Sequence, residues 1–185
     1  AHRDPAPRQL RADGMARNPD VRDDLQSILD PRRQGGAPPD LGMILAHPMG
    51  LRLLTEGLLR PFRNTTIDKI AGIDPNGILL AATIAHKLSL GLIPLRLQGT
   101  PRPGQFTLDL RDTALMAGDR ILLIDDVLAT GKSAESAVHR IERLGGDVIG
   151  LAVVLDHTAS GGRARLAAMG IALHALYNRR EPPNP

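Results

Sequence analysis

The chain of 185 residues has no cysteine and no tryptophan, one tyrosine (Tyr177) and two phenylalanines (Phe62 and Phe106). Without cysteine there is no disulfide framework, no thiolate metal site and no cysteine nucleophile. With aromatics at 2%, the core has to be aliphatic, and a stacking platform for single-stranded nucleic acid is excluded. No apolar run approaches the roughly 20 residues of a membrane span, and the N-terminal stretch has no apolar segment of signal-peptide type. A strong excess of one charge is also missing. The 23 Lys and Arg face 20 Asp and Glu, a net charge of +3, with both signs interspersed. A nucleic-acid footprint would need its positive charge gathered on one face. The expectation is a soluble, cytoplasmic protein with no membrane or nucleic-acid partner.

What is present falls into three parts. Residues 1–40 are rich in Pro, Arg and Asp and read as a flexible or draped arm; a short helix is expected where Val21, Leu25, Ile28 and Leu29 recur at helical spacing. Residues 178–185, NRREPPNP, read as a disordered tail. Between them, residues 41–177 form the expected domain. Leu51, Leu54, Leu58 and Leu59 mark a helix ended by Pro61. Short aliphatic runs at 67–73, 90–95, 120–124, 148–155 and 171–176 then suit buried parallel strands. Amphipathic helical stretches at 77–88, 133–144 and 162–169 lie between most of them. This alternation predicts an α/β fold, a mostly parallel sheet flanked by helices. Residues 98–116 interrupt it and read as an inserted loop or hairpin.

In open α/β sheets, ligands bind where strand ends lead into helices. One such junction is Asp74-Pro75-Asn76-Gly77, and the other lies in ILLIDDVLATGKS, which ends at Ser133. There Ala129, Thr130, Gly131, Lys132 and Ser133 offer small side chains, hydroxyls and free backbone N–H groups at a helix start, the chemistry of a phosphate site. The ending GKS suggests a Walker A loop, but Asp126 stands where that pattern needs its first glycine, and a carboxylate there would repel nucleotide phosphates. Two adjacent acids, Asp125 and Asp126, just before a phosphate cradle point instead to a sugar phosphate. Their oxygens can accept from a vicinal diol while the loop holds the phosphate.

The string ILLIDDVLATGKS resembles the phosphoribosyl diphosphate (PRPP) motif of the type I phosphoribosyltransferases, and DDVLATG is most similar to the adenine-type version. DKIAGIDPNGILLAATIAHKL resembles that family's diphosphate-loop strand and helix, GLIPLRLQG its next strand, and DHTASGGRARL its later helix. The resemblance implies ribose binding by Asp125 and Asp126, phosphate binding by Ala129 through Ser133, and diphosphate binding by Asp74, Pro75, Asn76, Gly77 and Arg96. It implies Mg²⁺ carried in with PRPP rather than on a dedicated protein site. Further implications are a purine base as acceptor, a nucleoside monophosphate as product, purine salvage as the setting, and a homodimer. Anions beside a ribose that becomes cationic lower the barrier, which gives Asp125 a catalytic part.

Four departures from the pattern stand out. Asn76 replaces a usual arginine, and Leu97 and Thr100 stand where lysines often follow Arg96; Arg102 is a partial substitute or a solvated loop residue. Lys132 replaces a more usual glycine. The longer mobile loop of adenine-type members, with a tyrosine and a catalytic glutamate, has only QFTLDL as its counterpart. Either Phe106 and Asp109 imitate that pair or, as counting back from Asp125 favours, Asp109 sits on the following strand and the lid is reduced. The family's base-flanking N-terminal stretch has no good match in GGAPPDLGMILAHP. Two alternatives to an adenine-type enzyme therefore stay open: a PRPP- or nucleotide-binding regulator without catalysis, and a phosphoribosyltransferase with a non-purine acceptor. Asp156 stands where the family often carries an acid near the nucleotide, or else caps the helical turn at Thr158 and Ser160. Finally, the family's diphosphate loop holds a cis peptide, and a cis bond is far easier before proline; a cis Asp74-Pro75 bond is expected.

Overall fold

A computed structural model of the chain describes residues 41–98, 107–109 and 115–179. The expected helix around Val21 to Leu29 and the expected arm, together with Thr100, Arg102 and Phe106, lie outside these residues. Two helices come first, α1 (Leu41–Ala46) and α2 (Gly50–Leu59), the latter followed by a 3₁₀ turn at Arg60–Phe62 where Pro61 cannot continue the helix. Then follow β1 (Lys69–Ile73), α3 (Asn76–Leu88), β2 (Gly91–Gln98), β3 (Thr107–Asp109), β4 (Arg120–Leu128), α4 (Lys132–Arg143), β5 (Asp147–His157), α5 (Gly162–Ala168) and β6 (Leu173–Arg179).

The strands form one sheet in the order β3-β2-β1-β4-β5-β6. Five are parallel, and β3 runs antiparallel to β2 at the edge. Side chains alternate across the sheet, as a period of two requires. Ile70, Leu122, Ile124, Ala152 and Val154 face α1, α2 and α3 and pack on Ile44, Leu53, Leu54, Leu58, Leu80 and Ile84. Ala71, Ile73, Ile93, Leu95, Ile121, Leu123, Leu151 and Val153 face the other way, onto Ala134, Ala137, Val138 and Ile141 of α4 and Leu166 of α5. Both clusters are almost wholly aliphatic. Each fully buried Leu or Ile contributes about 1.5–3 kcal/mol relative to exposure, so branched side chains supply the core that aromatics cannot.

Neighbouring β1 and β4 send their helices to opposite faces, α3 to one and α4 to the other. The connections diverge at the strand ends and leave a crevice at the topological switch point. Nearly every expected strand boundary moves by a few residues, and two of the shifts stand out. The fourth strand was expected over residues 120–124, yet β4 continues to Leu128. Its pairing with β1 stops at Gly72↔Ile124, while pairing with β5 runs on to Leu128↔Asp156. Asn178 and Arg179, expected in the tail, instead pair with Asp156 and His157 in the sheet.

Candidate active site

The turn after β1 forms the first wall of the crevice. Its Asp74-Pro75 peptide is cis, as expected. The Asp74 amide donates to the Leu95 carbonyl at 2.9 Å, which sets the turn beside the end of β2 and next to Arg96, an exposed residue. Helix α3 starts at Asn76 with no side-chain cap, so its first amides are open to a ligand. Two glycines let this helix approach closely. A Cβ on Gly72 would lie 2.5 Å from the Gly77 carbonyl oxygen, and one on Gly77 would lie 2.7 Å from that of Ile124 and 3.1 Å from Asp125 Oδ1. The absent side chain at Gly77 is what lets the turn after β1 and the start of α3 reach the acids.

Those acids stand on the part of β4 that has left β1. Asp125 and Asp126 are both half-buried. The Asp126 amide donates to Asp125 Oδ1, and the Val127 amide to Asp126 Oδ1, each at 2.9 Å. Asn76 Nδ2 donates to Asp126 Oδ2 at 2.8 Å. Burial pushes the Asp125 carboxyl well above the ordinary carboxylate range, and the adjacent Asp126 charge pushes it further. The site thus holds an acid under electrostatic pressure, poised for hydroxyl donors or a developing cation.

The third wall is the loop from Ala129 to Ser133. Gly131 takes the left-handed conformation with φ 75°, which a side chain resists. Helix α4 starts immediately after it without a side-chain cap, so its first N–H groups are left for an anion. Lys132 and Thr130 are exposed, Ser133 and Ala129 half-buried and Gly131 buried. Asn76 and Gly77, directly after the Asp74-Pro75 turn, therefore meet Asp125 and Asp126 at one end of the sheet, with the loop from Ala129 to Ser133 beyond.

A profile of the phosphoribosyl transferase domain matches residues 40–168. The chain belongs to this family. It is 39% identical over 170 residues to an adenine phosphoribosyltransferase of Cereibacter sphaeroides, covering 86% of this chain and 96% of that protein. A second enzyme of that name, from Ruegeria pomeroyi, is 35% identical over 88% of this chain and 97% of its own length. Among solved structures, adenine phosphoribosyltransferase from Rhodothermus marinus superposes with a TM-score of 0.72 at 32% identity, covering 86% of this chain and 98% of the other. The Giardia lamblia enzyme in complex with 9-deazaadenine gives 0.70 at 25% identity, over 88% and 99%.

In this phosphoribosyl transferase, Asp109 is the candidate that the fold does not bring to the acids. It lies on edge strand β3 opposite Arg96, three strand steps from β4, about 14 Å at ordinary strand spacing. That is the strand placement favoured by counting back from Asp125. Sequence reasoning passed over Arg163 and Arg165, and what they hold. Arg165 Nε donates to the Thr130 carbonyl at 2.9 Å, and its Nη1 donates to Glu135 at 2.7 Å. The Gly162 amide donates to the Ala129 carbonyl at 2.9 Å. Asp156, at the end of β5, is fully buried and caps nothing; its Oδ2 is held by Arg163 at 2.7 Å, and Arg163 also donates to Asn178. A charge alternation in GGRARL was the one available signal, and spacing alone does not reveal which acceptors those arginines reach.

Proposed function

We propose that this phosphoribosyl transferase acts on PRPP and a purine base of the adenine type, forming a nucleoside monophosphate and releasing diphosphate. The observation that carries the reading is the 2.8 Å bond from Asn76 to Asp126, which joins the diphosphate-loop residues and the paired acids into one site. Asp125 and Asp126 take the ribose hydroxyls, and Ala129 through Ser133 take the 5-phosphate on backbone N–H groups and hydroxyls. Asp74, Pro75, Asn76 and Gly77, with Arg96 alongside, take the diphosphate. A ring nitrogen of the base forms a bond to the anomeric carbon as the carbon–oxygen bond to diphosphate breaks, and both electrons of that bond leave with the diphosphate. The nearby carboxylates stabilise positive charge developing on the ribose.

Mg²⁺ fits this donor set. Among the described residues, no three His, Cys, Asp or Glu side chains gather into a metal site, and Mg²⁺ characteristically uses one or two carboxylates plus substrate phosphates. Asp125 and Asp126 would be the oxygen donors on the ribose side, and a bound Mg²⁺ would supply charge neutralisation at the diphosphate. None of the described helices is long and apolar enough to cross a membrane.

A second reading rests on the placement of Asp109 and the eight-residue span between β2 and β3. A reduced lid would weaken water exclusion, and a PRPP-binding regulator or a non-purine acceptor is then the alternative. Diphosphate release from Mg-PRPP with a panel of bases separates them. Release with adenine is the expected result. Release only with another acceptor, or binding without release, would overturn the adenine assignment.

A further inference from the structure

We propose that Arg165 is a positioning residue that aims the backbone amides of the phosphate loop, acting from behind the loop through the Thr130 carbonyl and Glu135. The inference rests on the assignment of that loop to the 5-phosphate. In a trans peptide the C=O and N–H point in opposite directions. The carbonyl of Ala129 is held by the Gly162 amide at 2.9 Å, so the Thr130 N–H points away from α5. The carbonyl of Thr130 is held by Arg165 Nε, also at 2.9 Å, so the Gly131 N–H points away from α5 as well. Two successive amides are thereby turned toward the open side of the loop. The Gly131 carbonyl is taken by the Glu135 amide at 2.9 Å, which starts α4.

The clamp leaves little slack. A Cβ on Gly131 would lie 3.0 Å from Gly162 Cα and 3.3 Å from Arg165 Cδ, and one on Gly162 would lie 2.3 Å from the Ala129 carbonyl oxygen. Glu135 sits one turn into α4 and receives Arg165 Nη1 at 2.7 Å, so a single planar guanidinium ties the loop to the helix that follows it. Lysine offers a point donor and cannot span both acceptors in fixed geometry. Arg165 acts on the anion site through Thr130, and aimed amides bind an anion without reorganising when it arrives.

The test uses the full chain with Arg165→Met, which keeps an apolar stem, and Arg165→Lys, which keeps the charge. The probes are adenosine 5′-monophosphate for the phosphate loop and Mg-diphosphate for the other loop. Expected in Arg165→Met are at least tenfold weaker nucleotide binding, unchanged Mg-diphosphate binding, and at least tenfold faster exchange of the Gly162 and Glu135 amides that anchor the loop, with β4 unaffected. Arg165→Lys should recover only a minor part of the loss. Nucleotide binding at parental strength in Arg165→Met would overturn the inference while leaving the phosphate assignment intact. Full recovery by lysine would also overturn it, because charge rather than the fork would then be responsible. A parent protein that binds Mg-diphosphate but no nucleotide would remove the phosphate assignment itself, and the inference with it.

Discussion

Asp125 is placed where function and stability pull against each other. Its proton is held to higher pH in the folded chain than in the unfolded one, because burial and then the Asp126 charge disfavour the anion. Stability therefore falls as pH rises from the ordinary carboxylate range through the raised folded value, and stays lower above it. Asp125→Asn removes that penalty while its side-chain oxygen still accepts from the Asp126 amide. At neutral pH the variant should be more stable by on the order of 1 kcal/mol, with the advantage vanishing in acid, and it should lose PRPP binding. Thermal melts across pH check the first part and titration calorimetry the second; a variant less stable than the parent at neutral pH would contradict the argument. Asn76 has the opposite balance. Asn76→Ala removes the donor to Asp126, and since hydrogen bonds to charged groups contribute about 1.5–3 kcal/mol to stability, Tm should fall by several degrees and the affinity for Mg-PRPP should weaken with it. Unaltered affinity would show that Asn76 does not orient the acid.

At the scale of elements, the site is made by close contacts between pieces that belong to different layers. Helix α3 reaches the end of β4 because Gly77 has no side chain. Gly77→Ala must push the helix off Ile124 and Asp125, and overpacking of this kind costs about 1–3 kcal/mol. Urea denaturation should show a lower midpoint with an unchanged slope, and PRPP binding should weaken in parallel; retention of both would mean that the helix has room to shift. On the far side of the loop, Arg163 holds the fully buried Asp156, whose Oδ1 has no protein hydrogen-bond partner among the described residues. Arg163→Met would strand a buried carboxylate. The expected loss is about 3 kcal/mol, read from the same denaturation experiment, and restored in the double variant with Asp156→Asn.

For the whole molecule, ligand binding and folding are linked through the same crevice. The three walls come from β1–α3, from β4 and from the loop into α4, and they meet only in the folded sheet. A ligand that bridges them stabilises the native state alone. At a hundred times its Kd, Mg-PRPP should add about 2.7 kcal/mol, which for a chain of this size raises Tm by roughly 5–10 °C. The Asp125→Asn variant should show no such rise. An equal shift in both proteins would place the ligand elsewhere.

Much of this was legible in the chain itself. Runs such as ILLI and AVVL are apolar at every position, as strands covered on both faces must be, and their alternation with helical stripes specified the layers. The strand-to-helix turn from Asp125 to Ser133 was legible because small residues and a glycine at one short stretch mark a tight turn into an uncapped helix start. The cis Asp74-Pro75 bond was expected because the family resemblance implies a cis peptide in that loop and proline lowers its cost, and it is found. What local pattern did not reveal was where pairing ends. β4 keeps its β5 partner beyond Ile124 after losing β1, because strand length is decided by the neighbour rather than by the strand's own residues. The contacts of Arg165 with Thr130, 35 residues earlier in the chain, and of Asn76 with Asp126, 50 residues later, were equally hidden. Periodicity and propensity act over one or two turns of chain, and such contacts exist only once the sheet order has brought distant loops to one end.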